Sequence, residues 1–141
     1  MKNQFSASTK ISFNAPKEKV WEAITNPTLV KQYFFGTDLS ATWEVGGIIY
    51  FRGEYEGKPY EDKGIITEIE VGKLLKYNYK SSWDNSPDIP ENYMPVEYQI
   101  TEQGNTTTLE IIQGADTQEK AEHSAGNWDW ILKGMKEVVE K

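Results

Sequence analysis

The chain has no cysteine and only one histidine, His123. The first absence excludes disulfides, thiolate zinc sites and thiol nucleophiles; the second excludes every multi-histidine metal cluster. Basic residues are outnumbered, 15 Lys+Arg against 22 Asp+Glu, for a formal charge of −7. A nucleic-acid binder normally carries a basic face, so no nucleic-acid partner is expected. No apolar run approaches the roughly 20 residues that span a bilayer. Met1-Lys2-Asn3-Gln4 does not lead into a signal-peptide apolar stretch. There is no Gly-x-Ser-x-Gly elbow, and Gly46-Gly47 is not followed by the Lys-Ser/Thr of a phosphate loop. The expectation is a single cytoplasmic domain over residues 1–141, with no metal and no cofactor.

What is present is aromatic. Five Trp, eight Tyr and five Phe make up 13% of a chain that is only 38% hydrophobic. Tyr and Trp bring polar tips that require partners when buried, so such a core either satisfies them internally or leaves them facing a cavity.

Period-two alternation over Phe5–Phe13 predicts a strand with Phe5, Ala7, Thr9, Ile11 and Phe13 on one face. Pro16 suits a first helical position, and Val20, Ala23 and Ile24 follow helical spacing. Asn26-Pro27 ends that helix and caps a second short one through Tyr33. Further strands are expected at Leu39–Trp43, Ile48–Tyr55 and Tyr60–Val71, with Glu56-Gly57-Lys58-Pro59 as a hairpin turn. The facing of the 60–71 strand is ambiguous, since Ile65 and Ile69 point one way, Ile66 and Glu68 the other. Two clearer strands follow: one has Leu75, Tyr77 and Tyr79 on a shared face, the other Val96, Tyr98 and Ile100. Between them the stretch Ser81–Pro95 carries three prolines and is too long for a plain turn. A last strand places Thr107, Leu109, Ile111 and Gln113 together. Asp116 and Glu119 read as a capping box before a terminal helix, regular from about Ala125. Its stripe is Ala121, Ala125, Trp128, Leu132, Met135 and Val139.

The order is one strand, two short helices, a meander of strands and a long helix. This predicts an α+β fold in which a curved antiparallel sheet wraps around the C-terminal helix. A twisted sheet closed over one helix tends to leave a pocket lined by inward strand residues and the helix stripe. Tyrosine hydroxyls on that face cost ~1–3 kcal/mol each if left unsatisfied, so water, one another or a ligand must meet them.

Several stretches resemble the Activator of Hsp90 ATPase homologue 1-like family. They are Pro16–Pro27 with Val30 and Tyr33-Phe34-Phe35-Gly36, Val45–Phe51, Gly64–Ile69, Leu75–Tyr79, and Trp128 with Leu132 and Met135. The match runs nearly the whole chain in order. It implies the helix-grip fold of the START/Bet v 1-like (SRPBCC) superfamily and binding of a small hydrophobic or amphipathic molecule. The expected ligand-binding residues are Phe51, Tyr77, Tyr79, Tyr98, Gln113, Trp128, Leu132 and Met135, with Trp83 and Tyr93 as a lid over the mouth. Apolar side chains would supply affinity, and the tyrosine hydroxyls with Gln113 would orient the ligand.

Other readings stay beside this one. A protein-interaction module, chaperone-linked or stress-related, would use an exposed patch including Trp130, which lies off the helix stripe. An enzyme of cyclase or hydrolase type would need a carboxylate inside the pocket, and Glu68 is the candidate. His123 falls about 140° around the helix from Trp128, which reads as a surface histidine. Asp84, Asp88 and Glu91 lack EF-hand spacing and read as a solvated loop. Asn105-Thr106-Thr107 matches a glycosylation sequon but reads as a turn. Ligand identity and oligomeric state are not written in the sequence.

Overall fold

The structure is a computed structural model that describes residues 5–82 and 86–140. In chain order the elements are β1 (Phe5–Phe13), α1 (Lys17–Thr25), α2 (Pro27–Tyr33), β2 (Asp38–Ser40), β3 (Ile48–Tyr55), β4 (Lys58–Glu70) and β5 (Leu74–Lys80). A short 3-10 turn (Pro90–Asn92), β6 (Met94–Gln103), β7 (Thr106–Ala115) and α3 (Gln118–Val139) complete them. The strands form one antiparallel sheet in the order β1-β7-β6-β5-β4-β3-β2. Every step from β2 to β7 joins neighbours in the sheet, and α1 and α2 fill the single crossover. α3 packs across β1 and β7 and against both short helices. This is the helix-grip arrangement.

The core lies between the sheet and α3. Phe13, Ile49, Ile66, Leu75, Leu109 and Ile111 come from the strands and meet Leu132 and Met135 of the helix. A smaller seam joins Ala7 of β1, Ala115 of β7 and Ala121 of α3, with Ala125 against it. The first half of α3 thus meets the sheet through alanines, the second half through Trp128 and Leu132. Thr107, fully buried, donates its hydroxyl to the Ala15 carbonyl at 2.7 Å and so ties the exit of β1 to β7. α2 packs on α3 at Gly134, where a Cβ would stand in ordinary contact, 3.4 Å, with that of Tyr33.

Several expectations shift. Pro16 is the residue before α1 rather than its first member; its carbonyl takes the N–H of Lys19 at 3.1 Å. The predicted 39–43 strand shrinks to Asp38–Ser40, because Trp43 adopts a left-handed φ of 58° that extended chain cannot hold. The hairpin turn is Glu56-Gly57 alone, both with positive φ, the form whose twist matches the flanking strands, so β4 already starts at Lys58. The ambiguous strand contains a β-bulge between Ile66 and Glu68. One extra residue there reverses the phase, so Ile66 and Ile69 both pack into the core. Glu68 consequently faces outward, 3.5 Å from Lys76 Nζ, and is no pocket carboxylate.

α3 also begins earlier than Ala125. Thr117, not Asp116, is its cap, accepting the Lys120 N–H at 3.1 Å, while Asp116 pairs with the Lys120 ammonium at 3.1 Å. Packing of Ala121 and Ala125 in the alanine seam carries the helix through Gly126, overriding its poor propensity.

Candidate ligand-binding site

The space between sheet and α3 divides into two compartments. The inner one is a chamber of aromatic rings. Trp128 meets Tyr98 edge-on at 5.7 Å between ring centres, and Tyr98 lies 5.8 Å from Tyr77. Tyr77 is 6.1 Å from Phe51, Phe51 stacks on Phe34 at 5.8 Å, and Phe34 returns to Trp128 at 6.0 Å. Alternation on β3, β5 and β6 puts Phe51, Tyr77 and Tyr98 on the concave face. Gly64 makes room for one of them, because a Cβ there would stand 2.7 Å from the Tyr77 ring. A void of about 20 Å³ lies among Phe34, Phe51, Tyr77 and Tyr98, lined also by Ile24, Val30, Leu39 and Leu75. That is room for about one water, far below the volume of an organic ligand.

The tyrosine tips are met from within. The hydroxyls of Tyr77 and Tyr98 bond each other at 3.1 Å. Tyr33 donates to the Ala23 carbonyl at 2.8 Å, and Tyr79 donates to Asp62 Oδ2 at 2.7 Å. Burial pushes all four hydroxyls above the ordinary tyrosine value; for Tyr79 the neighbouring Asp62 carboxylate adds to it.

The outer compartment is open. A cleft of about 760 Å³ lies between the first half of α3 and the ends of β5, β6 and β7. Its sheet wall carries Tyr79, Met94, Gln113 and Ala115; its helix wall carries Glu119, Lys120, His123 and Ser124. The helix wall of the cleft is polar, and Ala121 and Ala125 of the same half of the helix pack in the seam with Ala7 and Ala115. Gln113 joins the compartments: it lines the cleft, and its Oε1 accepts the Trp128 indole N–H at 2.7 Å.

The structure thus brings the expected residues into two groups. Phe51, Tyr77, Tyr98 and Trp128 ring the chamber, and Leu132 and Met135 lie in the same core cluster behind it. Tyr79 and Gln113 reach the open cleft. Of the two lid candidates, Trp83 lies outside the described residues. The Tyr93 hydroxyl donates to Asp88 at 2.5 Å, and Asp88 also holds Lys63 at 3.0 Å. These two contacts keep Asp88 below the usual carboxylate range. The residues flanking Tyr93, Asn92 and Met94, line the cleft. Asp62 fixes the start of the same loop, accepting from the Ser82 N–H at 2.8 Å. His123 is exposed, yet it stands on the cleft wall. Among the described residues no group of three or more His, Asp or Glu could hold a metal ion.

Sequence reasoning missed Phe34 and the cleft residues Met94 and Ser124. Phe34 sits on a turn, where no periodicity marks its direction. Met94 and Ser124 acquire meaning only from the space beside the alanine seam.

The sequence profile of Activator of Hsp90 ATPase homolog 1-like protein matches residues 14–140. The chain belongs to this family. Among solved structures it is similar to ChR145 from Cytophaga hutchinsonii, at 38% identity over 99% of this chain and 97% of that one, with a TM-score of 0.84. It shares its fold with the Aha1 dimer from Colwellia psychrerythraea, at 18% identity, 97% coverage of each chain and a TM-score of 0.75. It also shares it with DynU16, a protein of the dynemicin biosynthetic locus, at 20% identity and a TM-score of 0.79; there 96% of this chain covers 47% of the other. No curated protein matches the chain. No helix among the described residues of this Activator of Hsp90 ATPase homolog 1-like domain is long and apolar enough to cross a membrane.

Proposed function

We propose that this Activator of Hsp90 ATPase homolog 1-like domain binds a small amphipathic molecule between its sheet and α3. The observation that carries the reading is the cleft of about 760 Å³. Its size falls within the range of small-molecule sites, and its walls mix apolar with hydrogen-bonding groups. The ligand's apolar body rests on Met94, Ala115 and the Tyr79 ring, with the aromatic wall of Trp128, Tyr98, Tyr77 and Phe51 and the core residues Leu132 and Met135 behind. Its polar end is met by Gln113, Lys120 and His123. The Trp128 indole N–H holds the Gln113 Oε1 at 2.7 Å, which orients one polar group of the cleft wall in advance and lowers the ordering cost of binding.

The test is native mass spectrometry of the purified full chain, followed by titration with dodecanoate as a probe with one apolar body and one polar end. The expected result is uptake of one molecule, abolished by Ser124→Trp, which fills the cleft from an accessible helix position, and weakened by Trp128→Phe, which deprives Gln113 of its donor. Unchanged uptake in both variants, each shown folded by its thermal melt, overturns the reading.

A second reading, a protein-interaction module, draws on Trp130, 67% exposed on α3. An indole so exposed is an unusual surface residue and a common interface anchor. Loss of a captured partner, or of self-association in light scattering, on Trp130→Ser favours this reading over the first.

A further inference from the structure

The face of α3 turned away from the sheet carries two residues whose presence the packing of the chain does not account for. Trp130 holds its indole in solvent. Gly126 stands one turn earlier on the same face and is also exposed. Its backbone is ordinary helix, where glycine is the poorest residue after proline. Apart from its chain neighbours and the helix backbone, a Cβ built on it would meet nothing within 4 Å. Neither the sheet, nor the short helices, nor the Trp130 ring therefore requires that side chain to be missing. A glycine that weakens its helix and relieves no contact within the chain points to a close approach from outside. Side chains on a helix lean toward its N-terminus, so Trp130 projects toward the turn of Gly126 without filling it. One face thus presents a large flat knob and, about 6 Å along the axis, a bare notch.

A knob and a notch on one face fit a second copy of that face. Let two α3 helices cross antiparallel, with the twofold axis at the level of Trp128. Trp130 of each copy then enters the notch at Gly126 of the other, the reciprocal contact that a twofold interface requires. The charges agree with this arrangement. Glu122 lies four residues before Gly126 and Lys133 three after Trp130, so the crossing sets Lys133 of one copy beside Glu122 of the other. These two are eleven residues apart, about three full turns, and so share one flank of the helix. Both are exposed there, whereas α2 occupies the opposite flank at Gly134. Lys133 already lies along its flank, 3.0 Å from Asp129 of its own chain. Glu119 and Glu137, at the two ends of the face, would repel in a side-by-side pair. Helices that cross at about 50° meet over their central turns and keep such ends apart.

We propose that the protein forms a twofold dimer in which α3 packs on α3 of a second copy, with Trp130 seated on Gly126. The proposal rests on the reading of Trp130 as an interface anchor and names this same chain as the partner. One helix crossing another buries an area at the low end of protein interfaces, so the dimer is weak and reversible.

The experiment is sedimentation velocity of the full chain over a concentration series up to about 1 mM, where a weak contact is populated. Thermal melts of each variant, run dilute, report on the monomer. The unmodified chain is expected to pass from monomer to dimer along the series. Gly126→Gln fills the notch with a better helix former. It is expected to weaken dimerisation about tenfold or more while raising the melting temperature, opposite effects that a merely structural glycine would not give. Lys133→Glu is expected to weaken the dimer. Combining it with Glu122→Lys is expected to restore it, because each copy again meets the opposite charge. A chain that stays monomeric throughout overturns the proposal. So does a dimer that Gly126→Gln leaves intact, or one that the charge exchange fails to restore. Should Gly126→Gln fail to fold, the charge exchange decides alone. Trp130→Ser separates this proposal from the reading beneath it. If it releases a captured foreign protein while the unmodified chain is monomeric, Trp130 remains an anchor and the second copy is struck out as its occupant. A dimer that survives Trp130→Ser overturns both.

Discussion

Along α3 the same helix faces two different neighbourhoods. From Trp128 onward it presents large side chains to a sheet surface of rings and branched aliphatics, in a core whose void of about 20 Å³ is lined by strands and the two short helices rather than by α3. From Gln118 to Ala125 it presents Ala121 and Ala125 to Ala7 and Ala115, and a cleft of about 760 Å³ opens beside that seam. The contrast teaches that a helix-grip fold need not keep its open space at its centre. Large residues fill the middle, and beside the seam of small residues there is room. Stability is concentrated in the chamber, and access to solvent in the cleft.

That division can be broken experimentally, beginning with alkaline pH. Burial raises the hydroxyls of Tyr33, Tyr77, Tyr79 and Tyr98, so the fold holds their neutral forms. Their contribution is complete below the ordinary tyrosine value, about 10, and is lost as pH rises through the raised values. The tyrosinate absorbance of these four should therefore appear in one cooperative step coincident with loss of circular dichroism. Smooth titration of those four near pH 10 in a folded chain would show the chamber to be wet.

Next in size is Leu132→Ala, at a position only 1% exposed. It should cost about 2–5 kcal/mol in a denaturant melt, from lost burial and the cavity left behind. A cost under about 1 kcal/mol would mean that the core collapses readily around the gap. Tyr98→Phe should cost about 1–3 kcal/mol, because the Tyr77 hydroxyl loses its partner inside an apolar pocket. Smallest is Ser124→Ala on the cleft wall, expected to stay within about 0.5 kcal/mol of the parent in the same melt. A Ser124→Ala loss as large as that of Tyr98→Phe would erase the distinction between the two compartments.

Period-two and period-3.6 patterns located most of the chamber. Tyr77 and Tyr98 face inward because their strands alternate without interruption, and Trp128, Leu132 and Met135 share a stripe because their spacings of four and three return to one helix face. Alternation failed where the backbone breaks its own phase. The bulge at Ile66/Glu68 adds one residue, and a carboxylate expected inside came out beside Lys76. Periodicity says nothing about turns, so Phe34, which closes the ring of aromatics, carried no signal of its role. The start of α3 was misplaced because Gly126 and the polar residues around it argue locally against a helix, while the alanine seam stabilises it through contacts distant in sequence.

By itself the sequence determined which faces are apolar, the order of strands and helices, and therefore that one long helix must cover one curved sheet. These follow from local rules: the alternation of a strand, the pitch of a helix, and the need to bury what repeats at those periods. Tertiary structure alone decided how tightly the covered space is filled. The volume between two surfaces depends on side-chain sizes summed across residues far apart in the chain, and on the distance those residues impose. That is why the space among the core rings is nearly filled while the cleft beside Ser124 is open.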